Sequence, residues 1–337
     1  SKQILEDNQI YLVSYNMITY ENIFKQLRKL EFNLCICDEA HYLKSWSSKR
    51  SKYILGNFKR TKSTLKNNTK RFLLMTGTPI LNNVEELYNL IIRIAPKALN
   101  KMQREIFIRT FAKYIEMTPW GLKHSGVKNE NILNEMLESC MLSRTKIDNL
   151  TDRSDKYIYL DSKQITKLIA QETEFLAEQG VNINDLRNDL RISKMEMDKL
   201  SEVRQRVAIS KIPTLLSILE DIKQKSSGYI IYVYHKKLIT VLQDKLKTDN
   251  VIQGSTPNKK RQEIIEKFNN KEISFILATI GALREGVNLQ KGGDTQIYLE
   301  LDWTPANIEQ AIARVHRKGQ NKQVNIYYLV YDNGIDK

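Results

Sequence analysis

Apolar positions along the chain alternate between short uninterrupted runs and longer stretches at helical spacing. Residues 10–15 predict a strand. Residues 21–30 carry Ile23, Phe24, Leu27 and Leu30 on one helical face, and residues 32–37 are a second apolar run. This is a β-α-β order. A third run, residues 71–75, follows a stretch rich in Lys, Ser, Thr and Asn. Helical spacing returns over 84–94 and 131–142, with Thr118-Pro119-Trp120-Gly121 marking a loop between them. Residues 161–225 hold one proline, Pro213, and one glycine, Gly180, amid dense Leu, Ile, Lys and Glu, which predicts helices. Beyond them lie four strand-like runs, 229–234, 274–279, 296–301 and 324–330. Helical stretches at 238–247 and 259–268 separate the first two, the pattern of a parallel α/β sheet.

The run at 32–37 is the most informative because it ends in Asp38-Glu39-Ala40-His41. An interior strand of a parallel sheet is covered on both faces, so it is uniformly apolar, and ligands gather beyond its carboxyl end. The run is therefore expected to be buried, with two carboxylates at its active end. One carboxylate of such a pair can hold Mg2+, while the other orients or deprotonates the water that attacks a γ-phosphate. A solvated turn would use the same residues. The run at 71–75 ends in Thr76-Gly77-Thr78-Pro79, whose hydroxyls could bond the carboxylates or His41 from an adjacent strand; a plain Gly-Pro turn is the alternative.

A length of 337 residues suggests two domains, and 41% hydrophobic with 27% charged residues fits a soluble globular chain. No apolar run approaches the ~20 residues that span a bilayer, so no membrane partner is expected. The first residues lack the apolar core of a secretory signal, which points to an intracellular protein of the cytoplasm or nucleus. Cys35 and Cys37 alternate within one strand and read as core residues, and four scattered histidines leave almost no candidates for zinc. Lys plus Arg is 53 against 39 for Asp plus Glu, a net charge of +14, with a pI near 9.4. A nucleic-acid partner is the natural inference, with a lysine-rich solvated surface as the alternative.

The acidic Asp38-Glu39-Ala40-His41 and the run Leu74-Met75-Thr76-Gly77-Thr78-Pro79-Ile80-Leu81-Asn82-Asn83 together resemble motifs II and III of the Swi/Snf family of superfamily 2 DNA translocases. Gln253-Gly254-Ser255-Thr256, with Arg261 beyond it, is similar to the segment between motifs IV and V, and residues 278–289 to motif V. Asp302-Trp303-Thr304-Pro305-Ala306-Asn307, leading into residues 310–320, closely resembles motif VI. Lys211-Ile212-Pro213, Val233-Tyr234-His235-Lys236-Lys237 and residues 324–330 look most similar to the annealing-helicase subgroup. The resemblance runs from about Ile10 to Tyr331. It implies an α/β fold of two RecA-like parallel-sheet lobes, the first incomplete, with helical insertions. The expected division is 1–150 for the first lobe with its insertion, 151–210 for a helical linker and 211–337 for the second lobe.

The resemblance also implies roles. Asp38 would hold Mg2+ and Glu39 would activate water. Arg314 and Arg317, three apart and so expected on one helical face, would neutralise γ-phosphate charge. Gly286 and Asn288 would join the two arginines at the nucleotide. His41, Thr76, Gly77, Thr78 and Gln310 would couple the sites, and Lys44, Gly254, Arg261, Thr279 and Gly281 would meet DNA phosphates. Arg204 and its neighbours in the helical middle would either touch phosphates or form a solvated face. ATP and Mg2+ are the implied cofactors and double-stranded DNA, held by its backbone, the implied partner; protein partners would bind regions outside this chain. The phosphate loop G-x-x-x-x-G-K-[ST] does not occur. The nearest spacing, Gly281 to Gly286, is followed by Val287-Asn288. In relatives that loop precedes the point matching Ser1, so the chain is expected to start within lobe one, to be cut at its C-terminus as well, and to be inactive alone. The expected function is an ATP-dependent double-stranded DNA translocase; a non-hydrolysing DNA-binding scaffold and an RNA helicase are the alternatives.

Overall fold

The computed structural model describes residues 10–56, 64–77, 80, 83–118, 121–142, 150–160, 166, 170, 194–283 and 286–331. The chain divides into two units, Ser1–Ser143 and Arg144–Lys337. The first contains α1 (Glu21–Leu27), β1 (Phe32–Cys37), α2 (Lys49–Ile54), β2 (Thr69–Leu74), α3 (Val84–Ile94), α4 (Arg104–Phe111), the hairpin β3 (Tyr114–Thr118) and β4 (Gly121–Ser125), and α5 (Glu130–Leu137). β1 and β2 pair in parallel, with Phe32 opposite Thr69 and Cys37 opposite Leu74. Cys35, Cys37, Phe72 and Leu74 pack onto Phe24, Leu27, Leu43 and Leu90. The two thiols are free and their sulfurs lie 3.9 Å apart. A second cluster, with Leu87, Tyr88 and Ile91 of α3 at its centre, joins α4 and α5.

Two expectations for this unit are corrected. Residues 10–15 form no strand: Ile10 and Leu12 are each 93% exposed. A turn in which Ile18 N–H donates to Ser14 O leads the chain away, so the segment joins no ladder. β1 is covered on one face only. Leu34 and Ile36 are 51% and 53% exposed, as are Leu73 and Met75 beside them at 47% and 41%, so the apolar run does not mark an interior strand among the described residues.

The second unit holds β5 (Arg153–Leu160), α6 (Lys194–Ser210), α7 (Ile212–Lys225), β6 (Tyr229–Val233), α8 (Lys236–Leu246), β7 (Val251–Ile252), α9 (Asn258–Asn269), β8 (Phe275–Thr279), α10 (Ile280–Leu283), β9 (Thr295–Tyr298), α11 (Pro305–Ile312) and β10 (Val324–Tyr331). Its six strands run in the order β5-β10-β9-β6-β8-β7, every pair parallel. Apolar clusters cover both faces, as a parallel sheet requires. β5 falls inside the stretch expected to be a helical linker. Its Tyr157, Ile158 and Tyr159 favour a pleated, half-buried surface, and all eight of its residues pair with β10.

Four tyrosines form a row across this sheet: Tyr232 lies opposite Tyr298, Tyr298 opposite Tyr328, and Tyr328 opposite Tyr157. Their rings stack at centroid distances of 4.9, 5.5 and 4.9 Å. Tyr298 OH donates to Gln296 Oε1 at 3.1 Å, whereas the buried Tyr232 hydroxyl has no hydrogen-bond partner among the described residues. Under β6 and β9, Phe268 lies so close to Gly292 that a Cβ there would stand 2.1 Å from its ring.

Candidate functional site

In the first unit, the carboxyl ends of β1 and β2 converge. Met75 N–H donates to Cys37 O and Ala40 N–H to Met75 O, which holds the two strand ends in register past the ladder. Between these bonds Glu39 is left-handed, at φ 48° and ψ 49°, an uncommon backbone state for a non-glycine residue. The exposed Asp38 accepts the Glu39 N–H at 2.9 Å, and Tyr15 OH donates to Asp38 O at 2.6 Å. Glu39 Oε2 lies 3.2 Å from Nδ1 of the buried His41, yet it is a buried oxygen with no geometrically sound hydrogen bond. The same His41 Nδ1 is 3.4 Å from Thr76 Oγ1 at the end of β2. Glu39, His41 and Thr76 are thus brought together. Gly77 follows Thr76 with nothing within 4 Å of a built Cβ; Thr78 lies outside the described residues. Lys44 Nζ sits 2.6 Å from Glu86 Oε1, an internal ion pair that competes with any phosphate.

In the second unit, Thr279 closes β8 and is nearly buried, and Gly281 lies in the short α10. Gly286 is left-handed at φ 70°. Arg317 Nη1 donates to Asn288 Oδ1, and Asn269 Nδ2 donates to Asn288 O. The structure therefore joins Asn288 to Arg317. It also corrects the arginine pair: α11 ends at Ile312, and Arg314 and Arg317 lie in the turns that follow, so they share no helical face. Two contacts pull the chain off the helical path. Leu289 N–H takes Arg314 O, and the Gln320 side-chain amide donates to Gln290 O and Gly293 O. Arg314 Nε caps the helix by donating to Gln310 O at 3.1 Å. Among the described residues nothing lies within 4 Å of a Cβ built on Gly254, and the buried Nε of Arg261 on α9 has no hydrogen-bond partner.

Sequence reasoning missed a cluster at the carboxyl ends of β6 and β9. Glu300 accepts His235 Nδ1 at 2.5 Å and the N–H groups of Tyr234 and His235 at 2.8 Å each. Burial alone would raise the Glu300 carboxyl, but His235 and these N–H donors hold it below the usual range. His235 Nε2 meets Ser201 Oγ of α6 at 2.9 Å. One turn further along α6, buried Arg204 stands 4.1 Å over the Trp303 ring and donates to Leu301 O at 2.9 Å. Arg204 is therefore an internal brace on the loop before α11, and no spacing signal announces partners 97 residues apart.

A family model described as the SNF2-related domain matches residues 1–225, and one described as the helicase conserved C-terminal domain matches residues 210–319. Over 327 residues the chain is 28% identical to the SWI/SNF-related matrix-associated actin-dependent regulator of chromatin subfamily A-like protein 1 of Xenopus tropicalis, covering 94% of this chain and 33% of that protein. It is 24% identical over 348 residues to the DNA annealing helicase and endonuclease ZRANB3 of Bos taurus, covering 98% of this chain and 31% of that protein. The chain thus spans about a third of the length of the relatives it matches. The Sulfolobus solfataricus SWI2/SNF2 ATPase core in complex with dsDNA aligns over 94% of this chain and 67% of its own, at 21% identity and a TM-score of 0.40.

Proposed function

The chain belongs to the SNF2-related domain family, and from that premise we propose that it is the motor core of an ATP-dependent double-stranded DNA translocase of the annealing-helicase kind. One observation carries the reading. Glu39 is held in a left-handed conformation at a strand end, with a buried carboxylate oxygen left without a hydrogen bond and His41 and Thr76 behind it. A carboxylate with one oxygen turned inward onto His41 while its side chain stays 28% exposed fits a group whose other oxygen meets a reacting water. In this reading Glu39 orients that water and takes its proton. His41 passes the state of Glu39 to the end of β2.

Asp38 suits a Mg2+ ion that arrives on nucleotide phosphates. Among the described residues no cluster of three or more His, Cys, Asp or Glu could hold a metal alone. Mg2+ keeps several waters and takes one or two carboxylates plus phosphate oxygens, which one exposed Asp38 can satisfy. When bound, the ion neutralises phosphate charge. Arg314 and Arg317 do the same from the protein side, with Asn288 orienting Arg317. The phosphate loop G-x-x-x-x-G-K-[ST] does not occur in these 337 residues, and the reading assigns to them the water, the metal and the two arginines.

Gly254 and Gly281 support the DNA assignment. Neither has a positive φ, and among the described residues a Cβ at either would meet nothing within 4 Å, so packing against those residues does not call for glycine. Room for a phosphate to reach the backbone does. The test uses the full-length native protein and ATP hydrolysis with and without duplex DNA. Arg317→Ala should lower the DNA-stimulated rate by roughly 10³-fold or more, and Glu39→Gln should abolish it while leaving DNA binding intact. Binding should weaken steeply with salt, by roughly 0.9 log units per phosphate neutralised for each tenfold rise in concentration. No DNA-stimulated hydrolysis in the parent protein, and so none to lose on either substitution, would favour a scaffold; stimulation by RNA alone would favour an RNA helicase.

A further inference from the structure

The first unit carries a cavity of about 530 Å³ that none of the motor residues lines. Its walls are Trp46, from the loop after His41, with Tyr88 and Ile92 of α3 and Met102. Tyr88 is buried and its OH is tied to Met102 O at 3.3 Å, while Trp46, Ile92 and Met102 are half-buried. An amphipathic helix normally covers its apolar stripe, whereas here the half-buried Ile92 borders an apolar-walled hollow with the buried Tyr88 at its base. The Arg93 guanidinium stacks 5.1 Å from the Trp46 ring.

The rim has a definite charge. Glu85 is already taken, by Arg104 Nε at 2.7 Å and His124 Nε2 at 3.2 Å. Burial would raise its carboxyl, but those two partners hold it down at about 2. Lys101 is exposed and pairs with no described residue. It and Asn100 are consecutive non-glycine residues in the left-handed region, at φ 63° and 44°, and that strained pair sets Lys101 at the lip. An apolar hollow with aromatic walls and a polar rim has the anatomy of an interface anchor pocket. With Glu85 neutralised and Lys101 unpaired among the described residues, its electrostatic complement is an anion.

We propose that this hollow docks an acidic segment of a partner protein, which inserts an aromatic side chain between Trp46 and Met102 and sets a carboxylate against Lys101. This inference is independent of the motor reading. The probe is a fluorescein-labelled peptide, acetyl-Asp-Glu-Phe-Leu-Glu-Asp-amide, titrated with the full-length native protein by fluorescence anisotropy. Saturable binding is expected, weakened by about tenfold or more in Lys101→Glu. Met102→Trp, which fills the hollow, should weaken binding as much. A retained thermal midpoint and DNA-stimulated ATPase rate in Lys101→Glu would show that its loss is local, and Lys101→Ala repeats the test without adding a charge. No binding below about 1 mM peptide, equal binding by both variants, or equal binding of the same peptide with Ser in place of Phe-Leu would overturn the proposal. Displacement of the peptide by N-acetyl-phenylalanine amide at similar concentration would also overturn it, in favour of a small aromatic ligand.

Discussion

Removing one oxygen from the tyrosine row should stabilise the second unit. The Tyr232 hydroxyl is buried without a partner, and an unsatisfied buried polar group costs about 1–3 kcal/mol. Tyr232→Phe deletes that group and keeps the ring stacked 4.9 Å from Tyr298. Loss of the oxygen's packing offsets part of the gain, so the net expectation is a stabilisation of about 1 kcal/mol, or roughly 2–4 °C for a unit of this size. The neighbouring Tyr298→Phe should do the opposite. Tyr298 OH donates to Gln296 Oε1, and Gln296 Nε2 is fixed on Ala311 O at 3.0 Å, so the amide cannot turn to find another donor. That change strands a buried acceptor at a cost of about 1–3 kcal/mol. Urea unfolding followed by circular dichroism gives both values, provided the slope with denaturant is unchanged. Equal destabilisation by the two substitutions would refute the reasoning, because it would mean that the Tyr232 hydroxyl is satisfied.

Gly292→Ala should destabilise the same unit by about 1–3 kcal/mol, because the new methyl would stand 2.1 Å from the fully buried Phe268 ring; an unfolding midpoint equal to the parent's would count against this packing. Glu85 predicts a pH dependence. Its folded carboxyl is held at about 2 against an ordinary 4.5, so its contribution is fully present above about pH 4.5 and is lost as the pH falls towards 2. Glu85→Gln should therefore flatten the stability profile of the first unit between those values, and an unchanged profile would show that the carboxylate has no net pairing.

Much of the fold is legible where periodicity is clean. The span of α3 matches the helical spacing over 84–94, and the four apolar runs of the second unit are β6, β8, β9 and β10. β5 was hidden because an edge strand needs only half its positions apolar, and Arg153, Asp155 and Lys156 make it look like solvated helix surface. β7 is two residues long, below the length at which alternation can be seen. The hairpin of β3 and β4 mixes polar and apolar residues without a two-residue Gly turn. Within the candidate site, the meeting of Glu39, His41 and Thr76 follows from adjacency of two strand ends and was readable. The departure of Arg314 and Arg317 from a helix was not, since it depends on Gln320 and Leu289 reaching distant backbone.

The place of β5 in its sheet also governs how the protein is made. Lys156 finds Asn325 of β10 across 169 residues of sequence. On a ribosome adding ~5–20 residues per second, that gap is roughly 10–30 s, and throughout it the strand bearing Tyr157 and Tyr159 has left the exit tunnel without β10, its only strand neighbour among the described residues. An eight-residue, tyrosine-rich strand with free N–H and C=O groups is in that interval a substrate for chaperones or for another nascent copy. The yield of soluble protein in a cell should therefore depend on synthesis rate and on chaperone supply more than on the stability of the finished sheet.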